Sequence, residues 1–347
     1  MNRTLLHGVR VIELAGLAPV PHCGMVLADF GATVTVIDKP IRDGDIPMEQ
    51  RMAERKAQQS LDLKSSKDVE KLKKLCQTSD VLLDPYRPGV LEQLGLDPVK
   101  LLEENKGLIV CRLTGYGQTG PLAQEAGHDI NYVSITGLLP TTSGHSCSRP
   151  WPPVNLLADF AGGGLTAAFG IVAALLKREK NGGHGCIIDC SMSEGLSYLA
   201  SFVRRHHDIE HMWTQPFAAF SGDCPIYRTY KTKDGKWMAV GALEPKFNAS
   251  LFSVLGIEKD MTDLVTDPAA VAAEMEKVFL TKTRQEWMEL FTGRQACVTP
   301  VLDLDEAVQY EHNVVRQSFT KEGGRSIPQP APRMYSKDEF RKLISKL

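Results

Sequence analysis

The sequence predicts an α/β protein: a large, doubly wound, parallel-sheet (Rossmann-like) domain and a smaller α+β domain. Three observations predict it. Strand-like and helix-like segments alternate through the first ~200 residues, the pattern of a parallel sheet covered by helices. Near residue 215 the pattern breaks, and two strand-like runs flank Asp234-Gly235, a hairpin turn signal. At 347 residues the chain is long for one compact core and comfortable for two.

The elements follow in order. Arg10–Leu14 reads as a strand, residues 16–21 as a Gly/Pro loop, His22–Phe30 as a helix stopped by Gly31, and Thr33–Asp38 as a second strand, so the chain opens with a β-α-β unit. Further strands are read at 80–83 and 108–113, with a short helix from Pro98 to Glu104 between them. Gly163–Lys180 reads as a long apolar helix ended by Asn181-Gly182-Gly183, Cys186–Cys190 as a strand, and Glu194–Arg205 as a helix. The hairpin is read over 226–232 and 236–240, followed by helices at 269–279 and 284–291 and a strand-helix pair over 298–308. These boundaries give a large domain over 1–200, completed by 313–347, a linker over 201–215 and a small domain over 216–312.

Composition narrows the function classes. Net charge is -2, with neither an acidic tail nor a polybasic block, which argues against nucleic acid as partner. No stretch of sequence approaches the ~20 apolar residues of a membrane span, and Met1-Asn2-Arg3-Thr4 lacks a secretory core. Eight scattered cysteines (Cys23, Cys76, Cys111, Cys147, Cys186, Cys190, Cys224, Cys297) form no C-x-x-C pair and read as reduced, buried thiols. The terminal tripeptide Ser345-Lys346-Leu347 reads as a peroxisomal address recognised by an import receptor.

Several motifs mislead. The opening β-α-β unit suggests a dinucleotide fold, but G-x-G-x-x-G is absent and Pro19 and Pro21 remove N–H donors that a pyrophosphate would need. His207-Asp208-Ile209-Glu210-His211 spells H-x-x-E-H, yet it is short and embedded in charged sequence, so it reads as a solvated helix end and no metal is expected. Gly162-Gly163-Gly164 is followed by no G-K-[ST] and reads as a place where a helix start packs closely against a neighbour.

Three segments stand out: Gly127-His128-Asp129-Ile130-Asn131-Tyr132, residues 155–164 (N-L-L-A-D-F-A-G-G-G), and Val240-Gly241-Ala242-Leu243-Glu244-Pro245. Each has a plain structural reading: His128-Asp129 and Asp159 as helix caps, Glu244 as a loop acid. Taken with Arg10–Leu14 and Tyr86-Arg87-Pro88-Gly89-Val90, they resemble the family III CoA-transferases, and within them the α-methylacyl-CoA racemase branch, from about residue 5 to 335. The resemblance implies the family III fold as an interlocked homodimer. It implies His128 and Asp159 as the acid/base pair, Glu244 of the partner's small domain orienting and charge-balancing His128, Asn155 hydrogen-bonded to Asp159, and the Asp129 N–H as an oxyanion donor.

Inverting a carbon next to a thioester without redox chemistry needs a base on one face and an acid on the other, which a neutral His and a protonated Asp supply. The acid must be partly buried for its neutral form to survive near pH 7. No cofactor is expected, because coenzyme A enters as part of the acyl-CoA substrate. Arg87 of the R-P-G motif, Lys39 and Lys64 are the candidates for its phosphates. Relatives often carry Lys-Arg where Gln58-Gln59 stand, so two charges are missing near that site. The resemblance and the terminal tripeptide together imply 2-methyl-branched fatty or sterol side-chain acyl-CoAs, and a peroxisomal location with a mitochondrial share left open. The main rival is a CoA-transferase using Asp159 as nucleophile; a non-catalytic acyl-CoA binder and a zinc hydrolase are further alternatives.

Overall fold

The computed structural model describes residues 5–39, 52–144 and 149–345. Met1–Thr4, Cys147, Lys346 and Leu347 lie outside the described residues. The chain divides into two units. One takes residues up to 139, 152–201 and from 330 onward; the other takes 140–151 and 202–329.

The first unit is built on a six-stranded sheet of order β3-β2-β1-β4-β5-β6, every pairing parallel. Its elements are β1 (Arg10–Leu14), α1 (Pro19–Asp29), β2 (Thr33–Asp38), β3 (Ala57–Ser60), α2 (Ser66–Cys76), β4 (Val81–Asp84), α3 (Val90–Gln93), α4 (Pro98–Glu104), β5 (Ile109–Thr114), α5 (Asp129–Ser134) and α6 (Leu138–Ser143), the last crossing the division. A wide-turn segment, Leu156–Leu165, then leads into α7 (Thr166–Lys180), β6 (Cys186–Ser191) and α8 (Met192–Leu199). β4 and β5 are buried along their whole length, as strands covered on both faces must be. The core on one face gathers Ile12, Leu14, Leu72, Leu82, Leu91 and Val110.

Helix α1 begins at Pro19, inside the expected loop. The sequence reading took the prolines as loop formers, but a first helical turn needs no N–H there and proline's fixed φ suits it. Strand β3, read as no element from sequence, is a mostly polar edge strand, Ala-Gln-Gln-Ser, without the apolar run that marks a strand. The expected helix 194–205 is broken at Ala200 into α8 and α9 (Ser201–His206). The sequence shows no stretch close to a membrane span in length, yet by length and composition alone the helical rod Leu156–Lys180 is long and apolar enough to cross one. In the fold Ala167, Ala168, Ile171 and Ala174 of this rod are buried. Of the described cysteines, Cys23, Cys76, Cys111, Cys190 and Cys224 are buried, whereas Cys186 is half-buried and Cys297 exposed, contrary to expectation.

The second unit carries α10 (Glu210–Trp213) and a three-stranded antiparallel sheet of β7 (Tyr227–Lys231), β8 (Trp237–Gly241) and β9 (Val298–Pro300). Against it pack α11 (Pro245–Leu255), α12 (Met261–Thr266), α13 (Pro268–Phe279) and α14 (Arg284–Phe291), around a core with Tyr230, Met238, Phe252, Met275, Phe279 and Trp287. The hairpin turn is wider than Asp234-Gly235 suggests: Thr232 N–H donates to the Lys236 carbonyl at 2.9 Å, leaving three residues in the loop. Gly235 takes the left-handed position, φ 76°, that such a loop demands.

Candidate active site

Strand β5 ends at Thr114, and the chain returns at Gly127-His128 to begin α5. His128 is the N-cap, extended at φ −130°, and its N–H donates to Asn131 Oδ1 at 3.1 Å. That back-bond from three residues on fixes where the imidazole leaves the backbone. The His128 side chain is exposed, whereas Asp129 is 1 % exposed and turned inward. One carboxylate oxygen of Asp129 accepts two backbone N–H groups, from Ala158 at 2.8 Å and from Asp159 at 2.9 Å. Asp129's own N–H lies in the first turn of α5, where a helix leaves its donors unused.

Asp159 is not a helix N-cap. It lies within Leu156–Leu165, which winds with π-type spacing, and it is 7 % exposed. Val154 and Asn155 enter that segment in left-handed conformations, φ 54° and 58°, with Asn155 exposed. Gly162–Gly164 lie in tight packing. A Cβ on Gly162 would stand 2.7 Å from the Leu196 nitrogen, and one on Gly164 2.5 Å from His22 Nδ1. Three residues without side chains let α8 and α1 close on this segment, as the sequence suggested. The rod starts at Leu156, seven residues before the expected Gly163. Single π-type turns recur at functional sites.

His128 and Asp159 line one cleft of about 580 Å³. It opens beyond the C-terminal ends of β1, β4 and β5, with Gly16, Arg87 and Gly115 also in its wall. Sheet order reverses direction between β1 and β4, and a crevice at that switch point is where open α/β sheets bind ligands.

Tyr132 is in the same wall and was given no role from sequence, although it closes the G-H-D-I-N-Y motif. Its hydroxyl donates to the Gly127 carbonyl, and its ring meets Tyr116 edge-on at 4.9 Å. A Cβ on Gly115 would lie 2.1 Å from that ring and one on Gly127 2.7 Å, so both glycines make room for it. Burial pushes the Tyr132 phenol up to about 12, with the neighbouring Asp159 carboxylate adding to the shift.

Of the three basic residues read from sequence, Arg87 lines the cleft. Its Nη1 donates to the Gln124 carbonyl at 3.1 Å, while Gln124 Nε2 donates to the Pro88 carbonyl at 3.0 Å. Beneath that loop Asp84 accepts the Tyr86 N–H at 2.8 Å and Arg112 Nε at 2.9 Å, and Arg112 forks onto Glu92 at 2.6 and 3.2 Å. Lys39, after β2, and Lys64, after β3, are exposed and stand outside the cleft wall. Gln58 and Gln59 lie in β3. A lysine that sequence reading passed over is buried there instead: Lys56 Nζ donates to both Glu13 oxygens, at 2.8 and 3.0 Å, and to the Pro21 carbonyl at 2.8 Å.

In the second unit Glu244 is exposed and stands at the N-cap position of α11 with no capping bond from its side chain, and Pro245 follows at N1. His207 follows α9, its Nδ1 2.9 Å from the Arg204 carbonyl, while His211 sits in α10, so the H-x-x-E-H residues share no single helix face. No group of three or more His, Cys, Asp or Glu side chains placed to hold a metal occurs among the described residues.

Comparison with known proteins agrees with this layout. A CaiB/baiF CoA-transferase family protein of Caenorhabditis elegans is 56 % identical over 98 % of this chain and 98 % of its own length. The α-methylacyl-CoA racemase of Mus musculus is 47 % identical over 94 % of this chain and 85 % of its own. The crystal structure of a CAIB/BAIF family protein from Brucella suis superposes with a TM-score of 0.80 at 22 % identity, covering 96 % of this chain and 93 % of that one, and so shares the fold. The sequence model of CoA-transferase family III matches residues 6–341, and the chain belongs to that family.

Proposed function

We propose that this chain is an isomerase that inverts the α-carbon of 2-methyl-branched acyl-CoA thioesters by 1,1-proton transfer between two bases. The observation that carries this reading is the presence of His128 and a buried Asp159 in the wall of one cleft. The 47 % identity to a curated α-methylacyl-CoA racemase supports it.

In this scheme neutral His128 takes the α-proton from one face and protonated Asp159 delivers one to the other; the roles reverse for the other hand of substrate. The scheme requires Asp159 in its neutral form, and the residue is 7 % exposed. The enolate oxygen is met by the Asp129 N–H, a donor at a helix start. Asn155 supports Asp159 through a hydrogen bond. Arg87, with Lys39 and Lys64, meets the phosphates of coenzyme A, which arrives on the substrate, so no separate cofactor is needed.

Glu244 acts on His128 of a second copy in an interlocked homodimer. A second copy is supported by the exposed apolar stripe Leu165, Phe169, Val172 and Leu176 along α7 and its approach, 43–75 % exposed.

The test is isotope uptake. A single enantiomer of a 2-methylacyl-CoA, incubated with the protein in D₂O and no acyl acceptor, is expected to gain α-deuterium and to racemise. Acyl exchange between CoA donors without α-deuteration would instead establish Asp159 as the nucleophile of a CoA-transferase, through an acyl anhydride.

A further inference from the structure

Asp129 carries a buried carboxyl group that the proton transfer does not use. It is one peptide bond from His128. Its Oδ1 holds the N–H groups of Ala158 and Asp159 at 2.8 and 2.9 Å. These two amides belong to the first turn of Leu156–Leu165, where a helical rod leaves its N–H groups without internal partners. At 1 % exposure, solvent does not compete for this carboxylate. Two elements that are distant in sequence, the start of α5 and the wide-turn segment, are therefore joined by a short chain of bonds: the His128 backbone, the Asp129 side chain and the Asp159 backbone.

We infer that the Asp129 carboxylate is a positioning residue that fixes the Asp159 backbone against that of His128 and so sets the gap between the two acid/base groups. The inference rests on the two-base reading above. A single carboxyl oxygen that accepts both N–H groups pins two consecutive amides to one point. A gap set by an inflexible link matters here, because a displacement of about 1 Å at a reacting group costs about 10²-fold in rate.

The test compares Asp129→Ala, Asp129→Glu and Asp129→Asn in the full-length protein, using both enantiomers of a 2-methylacyl-CoA. Asp129→Ala removes the acceptor and is expected to lower kcat for inversion about 10²-fold while KM moves less than ~3-fold. Asp129→Glu keeps the carboxyl group but moves the oxygen by one methylene, and should lose nearly as much. Asp129→Asn keeps an oxygen in place and should stay within ~10-fold of the parent protein. A displaced Asp159 leaves His128 where it was. The enantiomer that His128 serves should therefore still exchange its α-proton for deuterium with retention, even where inversion is lost, a signature that general loosening would not give.

Parent-like kcat in the Ala or Glu variant would overturn the inference. So would an Asn variant as damaged as Ala, or exchange and inversion falling together for both enantiomers. Should Asp129→Ala not fold, the Glu and Asn pair carries the same comparison. A parent protein that exchanges no α-proton would remove the two-base reading and this inference with it, whereas exchange in the parent with an indifferent Asp129 would remove the inference alone.

Discussion

At the N-terminal end of the parallel sheet, Arg178 donates to the Gly107 carbonyl at 2.8 Å and to Asp80 at 2.9 Å, Asp80 also accepts the Arg10 N–H at 2.7 Å, and Asn105 holds the carbonyls of Cys76 and Ser79. At the C-terminal end the same strands run into Gly16, the Arg87 loop and Gly115, and bring His128, Tyr132 and Asp159 to the wall of a cleft. The polar groups of the first end tie strand starts to one another. Both ends border a space, about 480 Å³ at the first and about 580 Å³ at the second, but only the second holds a histidine and a buried carboxyl group from different elements in one wall. The contrast teaches where chemistry settles in this architecture: crossover connections leave the carboxyl ends of the strands as the crevice, so loops there are open to titratable residues.

The sharpest way to break the comparison is to remove the groups facing the cleft. His128→Ala and Asp159→Ala are each expected to lower the rate of α-inversion by ~10²–10⁴-fold, with the circular dichroism spectrum of the parent retained. Parent-like turnover in either variant would show that the cleft end is no more chemical than the other.

Tyr132 sharpens the comparison through pH. Its phenol ionises at about 12 in the fold against an ordinary 10.0, so the neutral form is the one the fold stabilises. That contribution is present in full below pH ~10 and is lost as pH rises through ~12, a gap worth about 2–3 kcal/mol. The urea midpoint of the parent should fall more steeply between about pH 9 and 11.5 than that of Tyr132→Phe, whose other tyrosines are unchanged. Parallel slopes would assign the alkaline loss to other groups.

The smallest effect belongs to the N-terminal end. Arg178→Ala removes charge-assisted bonds from a largely covered site and should cost about 1–3 kcal/mol of stability, read from denaturant unfolding, with kcat within ~2-fold of the parent. A large fall in kcat at unchanged stability would erase the distinction between the two ends.

Much of the frame was legible because it rests on local rules. Val81–Asp84 and Ile109–Thr114 are buried along their length and read as short, largely apolar runs, Val-Leu-Leu and Ile-Val-Cys, closed by the polar residues Asp84, Arg112 and Thr114. Arg284–Phe291 carries its own start signal, Thr283 with Glu286 three residues on, and its bounds are the expected ones. Strand β3 stayed hidden because a polar edge strand has no apolar pattern to show. Within the cleft, His128, Asp159 and Arg87 were marked by their motifs. Tyr132 passed as part of one, since the room it needs is made by Gly115, seventeen positions earlier.

By itself the sequence determined the strand-helix alternation, the hairpin and the glycine run that permits close packing, because each follows from side chains within a few positions of one another; the acid/base candidates came from the resemblance of its motifs to a family. Only the tertiary structure decided that Asp129 turns its carboxylate inward onto the amides of Ala158 and Asp159, that Lys56 is buried on Glu13, and that His128 and Asp159 share one cleft. Those are pairings across 29 to 43 residues of chain. No local propensity encodes them, because they exist only once the sheet has brought its strand ends together.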